Sequence, residues 1–509
     1  MPKTDCSNVL GEDSFKYKNI KKILVANRGE ISRRILRSIH SEGLESVSIY
    51  AFEDRNSAHV KEAGEAVELS GSDPISAYMD VPQIIDICKR TGANAIHPGY
   101  GFLSENSGFA RQVVEAGLIF VGPDPKTIEL MGDKVRSREF ASKHNCPIAP
   151  SVVQTGTLEE FKEETQKIVG YPLLIKASAG GGGKGMTIVD SPADFSEKAR
   201  LASSEAERYF GDPRIYAEKY LQQPRHIEVQ VLGDGKGNVV HLYERECSIQ
   251  RRFQKVVEES PAPNLNAATR KKLIASAVSL ASAANYLNAG TVEFVVDGAG
   301  EFFFLEMNTR LQVEHPVTEL VTSIDLVVEQ LRIADTGVLS FKQSDVSIKG
   351  HAIECRISAE EPDHDFRPAI GKILKLKEPQ GKGIRIDAGV QEGQSISPTF
   401  DPMISKLIVF GDSREEACAR LEKALSSYVI LGLPTNINFL QQLVDCSAFL
   451  KGVTTTSFIS ENRVALNTPE AEDVSLDAAA VIALLSQTEF HKSAFSMIEP
   501  YASIGAWRN

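Results

Sequence analysis

Two glutamates come close together on a β-hairpin that the sequence predicts in the middle of the chain. If the two apolar strands pair Val296 with Glu301, Glu306 becomes the diagonal neighbour of Glu293, roughly 7–8 Å away at Cα and on the same face. Two carboxylates on otherwise apolar strands repel each other and lose solvation, and a bound Mg²⁺ ion would offset both costs. Asn308 has the same parity and could add an oxygen ligand. These three residues form a candidate metal site, with an ordinary solvated acidic face as the alternative.

A second group of polar side chains follows this hairpin in quick succession. From Glu306 the chain reads EMNTRLQVEHPVTE, which resembles the ENTR-x-QVEH-x-VTE signature of biotin carboxylases, members of the ATP-grasp superfamily. The resemblance implies Mg²⁺ or Mn²⁺ at the hairpin carboxylates. It also implies a bicarbonate and biotin site in which Arg310 and Glu314 are catalytic, with Glu314 as the general base. The residues implied for that site in this stretch are Arg310, Gln312, Val313 and Glu314.

A glycine-rich loop lies between two short apolar strands over residues 172–189. Four consecutive glycines leave backbone N–H groups unshielded, and these can close over phosphate oxygens. Lys176, at the end of the first strand, adds a positive point charge for the α- and β-phosphates. The loop is not a Walker A motif, and a flexible hairpin without a ligand is the alternative. In ATP-grasp enzymes, which this stretch resembles, a hairpin lid of this kind covers ATP.

The same resemblance implies further ATP-binding residues along the chain. Lys134 opens a predicted helix, and the predicted strand 216–221 matches the adenine hinge of ATP-grasp enzymes. His226, Glu228 and Gln230 alternate on one face of another predicted strand, where a lone histidine would ordinarily be structural. The residues implied to bind ATP are Lys134, Lys176, Gly181, Gly182, Gly183, Met186, Glu218, Lys219, Leu221, His226, Gln250 and Leu433.

Residues 245–259 are the second long stretch that resembles biotin carboxylases. Their basic side chains indicate anion binding, while a solvated basic face is the alternative. By resemblance, Lys255 is catalytic and contacts bicarbonate and carboxyphosphate, and Gln250 lies near the nucleotide. Phe253 departs from the family, where His or Asn is usual, so the resemblance gives this position no role.

Three further segments resemble biotin carboxylase motifs. HAIECRISAE, at residues 351–360, places Arg356 in an apolar strand. By resemblance Arg356 is catalytic and faces the ureido oxygen of biotin, whereas a buried arginine paired with an acid is the alternative. The loops 27–32 and 97–106 follow predicted strands near the N-terminus, and the second is implied to bring Tyr100 to the bicarbonate and biotin site.

The order of predicted elements indicates an α/β protein that is α+β in parts. Strands alternate with helices near the N-terminus, which predicts a parallel sheet. An alanine-rich helix over 267–287 is expected to pack behind the metal hairpin. The resemblance divides the chain into an N-terminal parallel-sheet domain (20–132), an ATP-grasp domain (133–349) with a glycine-rich lid at about 150–222, a C-terminal mixed α+β domain (350–462), and a helical tail (463–509) with one helix over Ser475–Phe490.

The composition is that of a globular protein with a mild acidic bias. The 509 residues include 56 basic and 68 acidic side chains, for a net charge of −12, and this argues against broad affinity for nucleic acid. Seven cysteines without a CxxC pair predict reduced thiols. No apolar run reaches the ~18 residues that a membrane span needs. We therefore expect a cytoplasmic protein that binds neither nucleic acid nor membrane.

With the resemblance, these residues predict an ATP- and bicarbonate-dependent biotin carboxylase. Glu314 would deprotonate bicarbonate, which attacks the γ-phosphate of ATP to give carboxyphosphate. Lys176, Lys255 and Arg310 would stabilise the transferring phosphoryl group. Carboxyphosphate then yields CO₂ and phosphate, phosphate removes the N1′ proton of biotin, and Arg356 stabilises the enolate-like product. The rival interpretations are another ATP-grasp carboxylate ligase and a non-catalytic nucleotide-binding scaffold.

The sequence also predicts the partners of this activity. It contains no Met-Lys pair, the motif on which carrier domains present biotin. We therefore expect the chain to act on biotin held by a separate biotin carboxyl carrier protein, together with a carboxyltransferase subunit, and to form a homodimer or a larger complex. The final acceptor is expected to be an acyl-CoA, with pyruvate as the alternative.

Overall fold

The computed structural model describes residues 15–178 and 186–463, together with Leu466 and Val481. The chain through Leu466 forms one compact unit, and residues 467–509 belong to a second. The predicted glycine loop at 181–183 and, apart from Val481, the predicted tail helix lie outside the described residues. Among the described helices, none is both long and apolar enough to cross a membrane.

A five-stranded parallel sheet forms the N-terminal part, in the order β3-β2-β1-β4-β5, as predicted. Because side chains alternate along β1, Ile23 and Val25 enter one hydrophobic core and Leu24 enters another on the opposite face. The strands are β1 (Lys22–Val25), β2 (Glu45–Tyr50), β3 (Glu65–Glu68), β4 (Ala95–His97) and β5 (Ile119–Phe120). The helices are α1 (Gly29–Ser41), α2 (Ala58–Glu62), α3 (Pro74–Tyr78), α4 (Val81–Thr91), α5 (Ser107–Glu115) and α6 (Pro125–Gly132), with a 3₁₀ turn at Phe52–Asp54.

A four-stranded antiparallel sheet follows, in the order β6-β9-β7-β8. Its core includes Phe161, Ile175 and Phe195, and the two helices that begin at Leu158 and Phe195 cover it. The strands are β6 (Ser151–Val153), β7 (Leu173–Ala177), β8 (Met186–Val189) and β9 (Ile215–Lys219), and the helices are α7 (Lys134–Lys143), α8 (Leu158–Ile168) and α9 (Phe195–Phe210). Helix α7 begins at Lys134 because the Asp133 carboxylate caps it, accepting hydrogen bonds from the next two free backbone N–H groups.

An eight-stranded antiparallel sheet is the centre of the molecule, in the order β14-β13-β10-β11-β12-β15-β22-β20. The remaining strands are β10 (Arg225–Asp234), β11 (Val239–Arg251), β12 (Gln254–Ser260), β13 (Leu287–Val296), β14 (Phe302–Asn308), β15 (His351–Ser358), β16 (Glu360–Glu361), β17 (Arg367–Pro368), β18 (Gly371–Lys372), β19 (Lys375–Lys377), β20 (Ile384–Ala388), β21 (Ser395–Ile396), β22 (Met403–Gly411) and β23 (Val429–Leu431). The sheet runs through the predicted boundary at residue 350, because β12 pairs with β15.

Helices lie on this sheet and around its edges. They are α10 (Ala267–Ala283), α11 (His315–Thr322), α12 (Leu326–Thr336), α13 (Arg414–Ser427), α14 (Ile437–Asp445), α15 (Ser447–Leu450) and α16 (Phe458–Glu461), with 3₁₀ turns at Gln343–Asp345 and Pro362–His364. Helix α10 packs Leu273, Ala277 and Leu280 in one core with residues of β10 and β13, as predicted. It ends four residues earlier than predicted, and the chain turns before β13 begins at Leu287.

The predicted register of the metal hairpin is wrong by one residue. Val296 pairs with Phe302, and a bulge between Glu293 and Phe294 then brings Glu293 directly opposite Glu306. The loop is longer than predicted because Asp297 closes it, its backbone N–H donating to the Glu301 carbonyl at 2.9 Å. The bulge therefore makes the two carboxylates a direct cross-strand pair instead of a diagonal one.

Candidate active site

A cavity of about 1020 Å³ is lined by residues of the N-terminal sheet, the lid sheet and the central sheet. Residues far apart in the chain reach it because each sheet contributes the ends of its strands. Most of the predicted site residues line this one cavity. They are Tyr100, Lys134, Lys176, Met186, Glu218, Lys219, Leu221, His226, Gln250, Lys255, Glu293, Glu306, Asn308, Arg310, Gln312, Val313 and Arg356.

The predicted metal ligands lie side by side on the β13–β14 hairpin. Glu293 is buried and accepts hydrogen bonds from Asn308 at 2.8 Å and Gln312 at 3.0 Å. Glu306 is more open to the cavity, and its carboxylate lies 3.6 Å from the Lys134 ammonium. Paired carboxylates and an amide oxygen are the ligands that Mg²⁺ prefers. Glu293, Glu306 and Asn308 therefore fit a divalent cation, which would exchange for the amide and ammonium donors that now hold these oxygens.

The Lys255 ammonium joins three buried carboxylates at the floor of the cavity. Its Nζ donates to Glu228 at 2.6 Å, to Glu293 at 2.9 Å and to Glu314 at 2.6 Å. Burial opposes the charge on Lys255, but these three acids raise its pKa well above the usual value. Burial likewise opposes ionisation of Glu293, and the charges of Lys255 and His226 nevertheless hold its pKa well below the usual value. Lys255 therefore stays an ammonium and Glu293 a carboxylate at neutral pH, whereas burial raises the pKa of Glu228 above its usual value.

Glu314 lies between two cations and is fully buried. One carboxylate oxygen accepts from Lys255, and the other accepts from Nη2 of Arg356 at 3.0 Å. Burial opposes ionisation, but Lys255, Arg356 and Arg245 together lower the pKa of Glu314. Arg356 also contacts Glu258, whose pKa burial raises to about 7 against the neighbouring arginine charge. Arg356 therefore pairs with buried acids, which is the alternative that the sequence offers, and it also lines the cavity as predicted.

A second group of charges lies at the nucleotide end of the cavity. Lys176 contacts Glu218, whose other oxygen accepts from Arg138 at 2.9 Å. These cations outweigh the cost of burial and lower the pKa of Glu218, so it stays a carboxylate. His226 lies 2.8 Å from Glu293 through Nε2 and 3.0 Å from the Gln250 amide through Nδ1. These contacts hold the side chains of Lys176 and His226 in place.

The loop that carries Arg310 is attached to the N-terminal part of the chain. Arg310 donates to Glu105 at 2.9 Å and to Gln312 at 2.7 Å, which connects the loop 97–106 to the signature stretch. Lys406, fully buried on β22, donates to the Val313 carbonyl at 2.9 Å. The other predicted loop also reaches this region, because Asn27 donates to the backbone carbonyls of Pro98 and Tyr100, each at 2.7 Å.

Some predicted site residues are not brought to the cavity. Leu433 packs in the hydrophobic core of the C-terminal part and is not among the described residues that line the cavity, so its place in the adenine pocket stays a prediction. Glu314 reaches the cavity only through its two cations, since it is absent from the described lining. Fewer basic side chains of residues 245–259 are available to bind an anion than the sequence predicts. Arg245 is buried against Glu228, and both Arg251 and Arg252 contact Asp365.

Sequence reasoning missed the residues that hold the charged groups in place. Glu228 binds Lys255, Glu258 binds Arg356, and Arg138 binds Glu218. A partial signal for the first two was present, because Glu228 and Glu258 each follow an apolar residue in a stretch that also carries basic side chains, and a buried acid needs a cation. Their partners could not be identified from the sequence because these depend on which strands pair.

Three family descriptions match the chain in succession. "Biotin carboxylase, N-terminal domain" matches residues 19–128. "Carbamoyl-phosphate synthase L chain, ATP binding domain" matches residues 133–342, and "Biotin carboxylase C-terminal domain" matches residues 354–461. The site residues on the central sheet come from the second and third of these regions.

Solved structures share the fold across nearly the whole described chain. The biotin carboxylase domain of the Hydrogenobacter thermophilus 2-oxoglutarate carboxylase, in complex with MgADP, ADP and bicarbonate, has a TM-score of 0.87 and 43% identity, covering 89% of this chain and 100% of that one. The Campylobacter jejuni biotin carboxylase in complex with β,γ-ATP has a TM-score of 0.85 and 39% identity, covering 87% and 99%.

Curated relatives extend the same similarity. The methylcrotonoyl-CoA carboxylase α-subunit of Dictyostelium discoideum is 45% identical over 498 residues, which is 97% of this chain and 71% of that protein. The human propionyl-CoA carboxylase α-chain is 48% identical, and this chain spans 61% of its length. A biotin carboxylase from Nostoc is 48% identical over 440 residues, which is 86% of this chain and 98% of that enzyme. On this coverage and identity, the chain belongs to the biotin carboxylase family of ATP-dependent ligases.

Proposed function

We propose that this protein uses ATP and bicarbonate to carboxylate biotin held by a separate carrier protein. The observation that carries the proposal is the arrangement of Lys255, Glu314 and Arg356 beside the carboxylate hairpin. It combines an ionised base, a cation for an anionic substrate and a guanidinium at one cavity floor. A divalent cation held by Glu293, Glu306 and Asn308 would neutralise phosphate charge there.

The groups around the cavity divide the chemistry between them. Lys134 and Lys176 bind phosphate oxygens at the nucleotide end, while Arg310, Gln312 and Val313 bind bicarbonate. Glu314 removes the bicarbonate proton. Its ion pairs keep it ionised and also weaken it as a base, so bicarbonate has to displace Lys255 or Arg356 from it during proton transfer. Bicarbonate then attacks the γ-phosphate, and the carboxyphosphate that forms breaks down to CO₂ and phosphate.

The second half of the reaction is the carboxylation of biotin, which takes place beside Arg356 in the same cavity. Phosphate removes the N1′ proton of biotin, and Arg356 stabilises the negative charge that develops on the ureido oxygen. The nitrogen then attacks CO₂ to give carboxybiotin. The walls of the cavity exclude water, which would otherwise hydrolyse carboxyphosphate.

More specifically, the chain supplies the biotin carboxylase activity of an acyl-CoA carboxylase. Support comes from relatives whose names specify methylcrotonoyl-CoA and propionyl-CoA carboxylases. A biotin carboxyl carrier protein and a carboxyltransferase subunit would be the partners, and the cytoplasm would be the location. The alternative acceptors are 2-oxo acids, since a pyruvate carboxylase subunit from Methanothermobacter thermautotrophicus is 44% identical over 94% of its length.

Two assays test these proposals in turn. The purified chain should hydrolyse ATP only when bicarbonate is present, and added biotin should accelerate this turnover and take up label from ¹⁴C-bicarbonate. ATP turnover that ignores biotin would favour a different ATP-grasp ligase. For the acceptor, co-purified partners should transfer the label to an acyl-CoA, and transfer to pyruvate or 2-oxoglutarate instead would overturn the finer assignment.

A further inference from the structure

We propose that Glu258 is a positioning residue for the biotin half-reaction, and that it acts by fixing the orientation of the Arg356 guanidinium. This inference rests on the proposed function, because it assigns a role to a residue behind the group that faces biotin. Glu258 does not itself line the described part of the cavity. Its effect must therefore pass through Arg356.

Arg356 contacts Glu258 through the edge of its guanidinium that carries Nε and Nη2, and this contact is buried. Nε of Arg356 donates to Oε1 of Glu258 at 2.6 Å, and Nη2 lies 2.5 Å from the same oxygen. The Glu258 side chain is fully buried, whereas 19% of the Arg356 side chain remains exposed. Because β12 pairs directly with β15, the carboxylate is carried by a strand that cannot move independently of the one bearing the arginine.

The donors of Arg356 show what this contact leaves free. A guanidinium has five N–H donors in one plane. Glu258 occupies Nε and part of Nη2, and Glu314 accepts from Nη2 at 3.0 Å. Nη1 has no hydrogen-bond partner among the described residues, although Arg356 lines the cavity. The two glutamates therefore hold the Nε–Nη2 edge of the guanidinium, which leaves Nη1 to donate to a substrate oxygen.

Glu258 also competes with Glu314 for the same cation. If Glu258 lost its charge, Arg356 would be attracted to Glu314 alone, and the general base and the biotin-facing cation would neutralise each other. Glu354 cannot replace Glu258 in this role. It lies opposite Glu258 in the strand register, but neither of its carboxylate oxygens has a hydrogen-bond partner among the described residues, and burial raises its pKa well above the usual value.

The experiment compares two glutamine variants made at neighbouring positions of β12. Glu258→Gln replaces the carboxylate that accepts from Arg356 with an amide, while Glu259→Gln makes the same change on the opposite face of the strand. Glu259 is buried and accepts from His351 at 2.6 Å and from Arg414 at 2.7 Å, so it belongs to a different ion pair. The free-biotin kcat/KM, the slow bicarbonate-dependent ATPase without biotin, the KM for ATP and the Tm are measured for both.

We expect Glu258→Gln to lower kcat/KM for free biotin by about 10- to 100-fold, because a misplaced reacting group costs about this much. The KM for ATP should stay within about twofold, and the biotin-independent ATPase should fall less than biotin carboxylation. Glu259→Gln should lower Tm without separating the two half-reactions. A double variant, Glu258→Gln with Arg356→Gln, should be no slower toward biotin than Arg356→Gln alone, because Glu258 acts through that residue.

Two outcomes would overturn the inference. One is an equal loss of biotin carboxylation in the Glu258 and Glu259 variants, which would make Glu258 structural only. The other is a further loss in the double variant, which would mean that Glu258 acts independently of Arg356. A wild-type chain that does not carboxylate biotin would instead contradict the proposed function, so the two failures are distinguishable.

Discussion

Two clusters of opposite charges connect segments that are distant in the chain, and only one of them faces the cavity. The site cluster consists of Glu228, Glu258, Glu293 and Glu314 with Arg245, Lys255 and Arg356. The joint cluster consists of Glu319, Asp325 and Asp387 with Arg34, Arg37 and Arg385. Lys255, Glu293 and Arg356 of the first cluster line the cavity, whereas no member of the second lines its described part.

This difference in access to the cavity separates a candidate reactive cluster from a structural one. In the joint cluster, Glu319 accepts from Arg34 on α1 and from Arg385 on β20, each at 2.7 Å. In the site cluster, Glu293 also belongs to the carboxylate hairpin that fits a divalent cation. The comparison teaches that burial and shifted pKa values alone do not mark the active site, since Asp387 has a strongly lowered pKa as well.

The largest expected effect comes from breaking the joint cluster. Glu319→Gln should lower the free energy of unfolding by about 3 kcal/mol, because it leaves two buried arginines with fewer partners. Bicarbonate-dependent ATP turnover per folded molecule should change little. Urea unfolding followed by circular dichroism, with activity measured on the same samples, checks this. A large loss of turnover with normal stability would place Glu319 in the reaction.

The matching change in the site cluster should have the reverse result. Glu314→Gln should lower bicarbonate-dependent ATP turnover by ~10²-fold or more, as removal of a general base typically does. ATP binding should persist, because Glu314 lies at the floor beyond the nucleotide end. Steady-state kinetics and nucleotide titration measure the two properties separately. Near-normal turnover would assign the base to another residue.

Arg356 should separate the two half-reactions within the same cluster. Arg356→Ala should reduce biotin carboxylation by roughly 10- to 100-fold and spare the bicarbonate-dependent ATPase to a larger degree, because the guanidinium stabilises charge on biotin. Phosphate release measured with and without biotin gives both rates from one preparation. An equal loss of both would mean that Arg356 serves bicarbonate or Glu314 instead.

The comparison also shows what the sequence could predict. The parallel sheet, the carboxylate hairpin and the predicted residues that line the cavity follow from local patterns and from signature motifs, because these residues are close in sequence or belong to long matches. The hairpin register predicted from alternation, with Glu306 diagonal to Glu293, is wrong because a bulge, which alternation cannot reveal, pairs the two residues directly. Glu319 illustrates the same limit, because it lies in the signature stretch and yet bonds Arg34, 285 residues away.

The smallest predicted effect concerns Glu354, a buried acid with no cation of its own beside the site cluster. Neither of its carboxylate oxygens has a hydrogen-bond partner among the described residues, and burial raises its pKa well above the usual value of 4.5. A raised pKa means that the folded state prefers the protonated acid, so this contribution to stability is complete below pH 4.5 and is lost as the pH rises through the folded pKa.

Glu354→Gln imitates the protonated acid at every pH and removes this loss. Its Tm should equal that of the wild type near pH 4.5 and exceed it by roughly 2 °C at pH 8–9.

Glu259→Gln provides the opposite control, because the His351 and Arg414 partners overcome burial and lower the pKa of Glu259. That variant should be less stable than the wild type at neutral pH, with the deficit shrinking as the pH falls from about 4.5 toward the lower folded pKa of Glu259. Thermal melts of the three proteins across this range test both signs, and a Glu354→Gln curve parallel to the wild type would show that Glu354 is ionised in the folded protein.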